Sequence, residues 1–406
     1  MTRLPSQLQP LWPVAKRAHR FAARTSGSVA RRTRSAYGDR ALPLLGTESS
    51  AETARLEPGA VTLHPGIHVG SERMDRALPV GNPAEHWVFA RRAQYEVPAP
   101  YCLEITGGIT TGPDGTNITP GGLLDYGTSE YFGLAGWKEH PVYLQRQLPP
   151  IEEFDGTLVS IAARGGGRNF YHFLTDVMPR FGVFEDAMPE VKADAIYVPA
   201  HAGWQRTLLE MAGLGDLAML PASAESAVRA KRLIAPSLTN TKEVAPHATV
   251  AWLRGRLPAK DVADRARRIY VTRGQAPRTR RVVDEERLLP MLEQRGFVCI
   301  APEKLSPQEQ IDVFTAADVI VGPHGAALTN LLWIQPGARV LELFHPGYVN
   351  AAFWSITEAI GDIRYEYLVA DGAERFGPTS AMNKIQADVD IPAERIIEAV
   401  DRLLAD

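Results

Sequence analysis

RIYVTRG (268–274), FVCIAP (297–302), VIVGPHGAALTNLLW (319–333), ARVLELF (338–344) and IRYEYLVA (363–370) decide the fold. Each begins as, or consists of, a short apolar run rich in β-branched or aromatic residues and bounded by turn chemistry, so each holds a buried strand. Helical patterns fill the gaps. DEERLLPMLEQRG (284–296) ends on Gly296, a natural helix stop. Ser306-Pro307-Gln308-Glu309 supplies an N-cap, a proline at the first helical position and a capping-box acid. AAFWSITEAIG (351–361) is a third helix. Strand–helix alternation with short connections implies a parallel sheet covered by helices, a Rossmann-like α/β domain.

Working outward, AERIIEAVDRLLAD (393–406) sets Ile396, Ile397, Val400, Leu403 and Leu404 on one face, which must dock. Upstream, residues 60–165 read as short strands (AVTLHPGIHVG, HWVFARRAQYEV, YCLEITGGIT, GTLVSIAAR) separated by turns at Gly107-Gly108, Pro113-Asp114-Gly115 and Pro120-Gly121-Gly122. From 168 onward helix and strand alternate. A chain of 406 residues is long for one core, so two α/β domains are expected. The expected boundary lies near 240–265, in LTNTKEVAPHATV and LPAKDVADR. The expected divisions are a basic segment 1–58, a domain 59–250, a second domain 251–380 and a terminal helix segment 381–406.

Composition narrows the function. A hydrophobic fraction of 45% excludes a mostly disordered chain, and a net charge of −3 gives no electrostatic reason to expect nucleic-acid binding. Two cysteines, Cys102 and Cys299, exclude a disulfide framework and a Cys-rich zinc site. No run of eighteen apolar residues is present, and the start lacks a compact apolar stretch, so the expected location is the cytoplasm. Before Asp39 there is no acid, yet bases recur from Arg3 to Arg34, with Leu8, Leu11, Trp12, Val14 and Phe21 among them. Two readings stand: a basic tail, or a peripheral contact of residues 1–40 with the inner face of a membrane.

Ligands of such sheets bind beyond the carboxyl ends of the strands. Three segments fall there. Thr272-Arg273-Gly274 is followed by Arg278, Arg280 and Arg281. Gly322-Pro323-His324-Gly325-Ala326-Ala327 joins a strand to a helix, where small residues let backbone N–H groups approach a phosphate. Glu342 is an acid in an apolar strand, suited to a ribose diol. The blander readings are a structural histidine at 324, solvated arginines, and a Glu342–Arg pair. A GxGxxG fingerprint and a GxxxxGK[ST] loop are both absent, which disfavours a dinucleotide oxidoreductase and excludes a P-loop NTPase. Asp388-Val389-Asp390 matches the DxD metal pattern, but its place before the last helix favours a loop or cap.

NFYHFLTDVMPRFGVFEDA (169–187) holds a second constellation. Asn169, His172, Asp176 and Arg180 recur at helical spacing and form one polar stripe on an otherwise aromatic helix. Such a helix is buried, so its polar stripe is costly unless it faces a cavity. Pro179 should bend the helix.

These residues resemble glycosyltransferase family 61, also met as a capsular-polysaccharide-type domain. NFYHFLTDVMPRF (169–181) resembles the family's N-Y-H-F/W-x-x-D-x-x-P-R signature. YVTRGQAPRTRRVVDEERLL (270–289) and VGPHGAALTNLLWIQPGARVLEL (321–343) resemble its two later motifs, in the same order and spacing over roughly 155–345. Asp284, Ala327, Thr272 and Trp333 depart from the family pattern, and none removes a titratable candidate.

The resemblance implies an inverting, nucleotide-sugar-dependent transferase acting in polysaccharide biosynthesis. It implies GT-B-like architecture, in which two Rossmann-like domains face a cleft, here with a β-rich N-terminal portion. No cofactor and no obligatory metal are implied; the donor is a co-substrate, and the partner is a glycan or lipid-linked glycan acceptor. Donor contacts are expected from Arg273, Arg280, Arg281, His324, Gly325, Ala326, Thr329, Asn330 and Glu342, and acceptor-side contacts from Asn169 and Arg180. As in GT-B-like folds, helix 393–405 should cross back onto the N-terminal domain. For the base, His172 and Asp176 remain open: either the aspartate takes the proton, or the histidine does with the aspartate fixing its tautomer. A nucleotide-sugar epimerase or hydrolase and a non-catalytic component of a polysaccharide assembly complex are the alternatives.

Overall fold

The computed structural model describes residues 12–32, 34–240, 242–274, 279–372 and 386–405. Arg278 lies outside the described residues, as do the first eleven residues of the basic segment. The five runs quoted first form one sheet in which all neighbouring strands are parallel. In spatial order its strands are Val298–Ile300, Arg268–Val271, Val319–Pro323, Arg339–Phe344, Arg364–Val369 and Val80–Asn82. Val319–Pro323 is buried throughout, and Arg339–Phe344 and Arg364–Val369 are buried past their first residue, as continuous apolar runs demand when helices cover both faces. Helices Glu285–Glu293, Pro307–Ala316 and Ala352–Ile360 lie between the strands, and Ser306 and Glu309 form the expected capping box. From Arg268–Val271 the chain passes first to one side, then to the other. That reversal is the topological switch point, where a crevice opens beyond the strand ends.

A second, ten-stranded mixed sheet holds the N-terminal part, which is β-rich as expected. One side of it is four parallel strands, Ala227–Pro236, Ile151–Ser160, Ala195–Val198 and Ala218–Pro221, the last at the edge. Tyr101–Thr106 and Ile109–Thr111 pair antiparallel to Ala227–Pro236 and extend the sheet.

Three expectations change. Strand Val80–Asn82, from the N-terminal half, completes the six-stranded sheet, where the Tyr367 hydroxyl donates to Pro83 O at 2.5 Å and accepts from His86 N at 3.0 Å. The boundary region contains helix His247–Arg256, whose Val250 and Leu253 are buried in a core shared by both sheets, with Val177, Ile196, Ile320 and Trp354. Helix Ala393–Ala405 does not cross back onto the N-terminal part. Ile396, Ile397, Val400 and Leu403 pack with Leu288, Leu292, Phe297 and Leu341, covering a face of their own sheet that would otherwise stay wet. Arg295 fixes it with a fork onto Asp401, at 2.5 and 2.8 Å. No helix among the described residues is long and apolar enough to cross a membrane.

Candidate active site

Asn169 begins the helical stretch by accepting a hydrogen bond from Tyr171 N at 2.9 Å. It is exposed, acts as a cap and is not among the residues that line the cleft described below. Phe170–His172 passes into a π turn, Phe173–Val177, before Pro179–Ala187 continues as α-helix. Met178 N donates five residues back to Phe173 O at 3.0 Å, and Pro179, with no N–H, follows at once. The π turn breaks the α spacing on which the stripe 169–172–176–180 depends. Arg180 consequently lies buried beneath the site, its guanidinium donating to the carbonyls of Pro236, Thr128 and Ala162. Burial, opposed by nearby acidic groups, pulls its pKa down to about 10. It is a structural clamp and not an acceptor contact.

His172 and Asp176 stay together. Imidazole Nδ1 lies 2.6 Å from Asp176 Oδ2. Asp176 Oδ1 accepts from Asn240 Nδ2 at 2.9 Å and from Thr175 Oγ1 at 3.1 Å. Asn240 is itself held, since its Oδ1 accepts from Ala245 N at 3.0 Å. Burial disfavours the imidazolium, but the Asp176 hydrogen bond and charge, with Glu243 behind them, outweigh it and raise the His172 pKa above its ordinary value. Gly165, at φ +87°, lets the backbone pass the ring; a Cβ there would fall 2.6 Å from His172 Cδ2.

The pair sits in a cleft of about 180 Å³. Phe132 stacks on His172 with ring centres 5.1 Å apart, and the Arg164 guanidinium lies 3.9 Å from the ring centres of both Phe132 and Tyr131. Arg92, Glu130, Lys242 and Glu243 line the rest. Glu130 is raised above the usual carboxylate range by burial, which Lys242 opposes. The sequence reading missed all of these and Asn240, because they come from separate loops with no shared spacing. An aromatic pair beside an acid in Glu130-Tyr131-Phe132 is the one local signal.

At the switch point, Arg273 follows Arg268–Val271, and His324-Gly325 follows Val319–Pro323. Gly325 leaves room for Arg273: a Cβ there would lie 2.4 Å from the guanidinium, which would have to shift aside. Arg273 Nε donates to Thr279 O at 2.9 Å, while burial and the neighbouring Arg280 pull the Arg273 pKa down to about 10. Arg280 lies over the Tyr348 ring at 5.5 Å. Ala326 opens the helix Ala326–Trp333.

Five donor expectations change. Glu342 is fully buried, with Oε1 2.5 Å from His324 Nδ1 and Oε2 accepting from the Tyr365 hydroxyl, so neither oxygen faces a ribose. Burial pushes Glu342 well up and His324 well down, which favours a neutral pair sharing one proton. His324 is buried against Phe344 and Phe353, so its side chain belongs to the packing beneath the strand end. Thr329 and Asn330 are wholly buried, bonded to Ala326 O and to Ala327 O and Gln310. Arg281 turns to Asp388 at 3.3 Å, and Asp388 Oδ1 accepts from Thr279 N, so the DxD pattern is a loop clasp.

The two sites nearly touch. Tyr171, next to His172, meets Phe353 edge-on at 5.8 Å, and Phe353 meets His324 at 5.0 Å. Glu243 lines the cleft and accepts from Asn350 Nδ2 at 2.8 Å, on the loop that also carries Tyr348. Among the described residues no group of three His, Cys, Asp or Glu is placed to hold a metal.

Tyr171 and Phe353 thus link the His172–Asp176 cleft to the segment around His324. Residues 170–341 match the family model described as Glycosyltransferase 61, which supports a glycosyltransferase. No curated protein matches the chain. Among solved structures, the chain is similar to the bacterial iron-containing dodecameric glycosyltransferase TibC from enterotoxigenic E. coli H10407, at 10% identity and TM-score 0.33, over 90% of this chain and 99% of that one.

Proposed function

We propose that the protein is an inverting glycosyltransferase of GT-B-like layout, moving a sugar from a nucleotide-diphosphate donor to a hydroxyl of a glycan in polysaccharide biosynthesis. The observation that carries this is the His172–Asp176 pair, held by Asn240 and Thr175 in a cleft that Tyr171 and Phe353 link to His324, beside Arg273 and Arg280.

In this reading His172 is the base. Both Asp176 oxygens already accept hydrogen bonds, and the Nδ1 contact leaves the imidazole Nε2 lone pair for the cleft. Nε2 takes the acceptor hydroxyl proton as that oxygen bonds to the anomeric carbon. On the opposite face the bond to the diphosphate breaks, and its electron pair leaves with the phosphate. Asp176 stabilises the imidazolium that forms. Leaving-group charge falls to Arg273 and Arg280 and to the N–H groups that follow His324. The test is to incubate the full chain with a panel of nucleotide sugars and glycan acceptors, with the anomeric configuration read by NMR. Product of inverted configuration, lost in His172→Ala, is expected. Donor breakdown at the same rate without any acceptor would make the protein a hydrolase or epimerase. Donor binding without turnover for any acceptor would make it a binding component.

A further inference from the structure

Helix Trp12–Arg32 carries six basic and no acidic residues. One face is docked: Ala23 is fully buried, and Gly27 approaches the Tyr143 ring so closely that a Cβ would lie 3.1 Å from it. Arg20 and Arg24 clamp that face to the body through Glu139, at 3.2 and 2.6 Å, and Arg20 also donates to Gly133 O. The opposite face is exposed. Val14, Phe21 and Val29 are 61%, 73% and 54% exposed, and with Ala18 they fall within an arc of about 80° at the helical period. Exposed Arg17 and Arg24 border this stripe on one side. A 73% exposed phenylalanine on a rigidly held helix, bordered by bases, calls for a partner that is apolar within and anionic at its surface.

We propose that this face of helix Trp12–Arg32 docks on an anionic lipid membrane, with Phe21 and its apolar neighbours inserted below the headgroups and Arg17 at the phosphates. Charge decides the occupant. The helix itself carries no acid, and Glu139, which Arg20 and Arg24 meet, lies on its inner side, so its outer side complements a negative surface. The loop it grips runs back from Gly133 to Phe132 and Glu130, which line the cleft. Resting on the transferase reading, this selects a lipid-borne glycan as the acceptor, delivered one loop away from His172.

The experiment is co-sedimentation of the full chain with phosphatidylglycerol-rich vesicles, compared with phosphatidylcholine vesicles, and needs no turnover. The intact protein should bind the anionic vesicles selectively and release as salt is raised. Phe21→Glu and Arg17→Glu, both on the exposed face, should each lower the partition coefficient by about tenfold or more with an unchanged circular dichroism spectrum. Equal partition of all three forms would overturn the proposal. So would light scattering that shows the intact chain self-associated and Phe21→Glu monomeric, without vesicle binding by either, because the face would then meet a second copy.

Discussion

Replacing Asp176 by asparagine tests the active site most sharply, because the two side chains have the same shape. The new amide oxygen can keep the acceptor position toward Asn240 Nδ2 and Thr175 Oγ1, which donate to Oδ1 at 2.9 and 3.1 Å. The amide nitrogen then points at His172 Nδ1, 2.6 Å away in the native pair. Two donors cannot face each other, so the imidazole must turn its lone pair to Nδ1 and carry its proton on Nε2. That tautomer has no lone pair for an acceptor hydroxyl. Loss of the charge-assisted hydrogen bond alone is worth about 1.5–3 kcal/mol, or roughly 10- to 150-fold in rate. The wrong tautomer adds to this, so kcat should fall by about 100-fold or more, with nucleotide-diphosphate affinity unchanged by calorimetry.

The pH profile supplies a second signature. His172 must be neutral to act, and its pKa is raised, so native activity should be lost as pH falls through a value above the ordinary imidazole range. In Asp176→Asn the hydrogen bond and charge that oppose burial are gone, so the acid limb should move to lower pH while the plateau drops. Near-native turnover, or an acid limb that stays in place, would refute the assignment of His172 as base.

Arg273→Ala should weaken nucleotide-diphosphate binding by about 1.5–3 kcal/mol, and Gly325→Ala should weaken it too by displacing that guanidinium; unchanged calorimetric affinity in both would move the donor site. Glu342→Gln should leave that affinity within about tenfold, because burial already favours an uncharged carboxyl whose oxygens are held by His324 and Tyr365. A larger loss would return Glu342 to the ribose. Arg180→Met should lower stability by roughly 3 kcal/mol or more in urea titration, since three buried carbonyls lose their donor; an unshifted midpoint would show the clamp to be dispensable.

What the sequence discloses depends on whether a feature is local. The sheet of 268–369 is legible because buried parallel strands are continuous apolar runs, and because Gly296 and the Ser306–Glu309 box mark helix ends within a few residues. His172 and Asp176 are legible because one helical turn brings them together. Arg180 shares their spacing and was placed with them, yet the π turn and three carbonyls from remote loops take it elsewhere. Glu342 has the position of a ribose ligand, and only the Tyr365 hydroxyl, 23 residues on, shows that its oxygens are occupied. Thr329 and Asn330 lie in a matching motif but face inward, since burial follows from packing that no motif records.

Strand Val80–Asn82 has a consequence for how the chain is made. It pairs with Glu366–Leu368, and Pro83 and His86 just after it bond to Tyr367 across 284 and 281 residues, so during translation it emerges long before its partner strand exists. The nascent chain must carry an unpaired edge and an open apolar seam through most of its synthesis, which is the circumstance in which folding is slow and aggregation competes. Expressing 251–406 alone would remove the closing strand altogether, and supplying the 59–250 fragment in the same cell is the arrangement that could restore it.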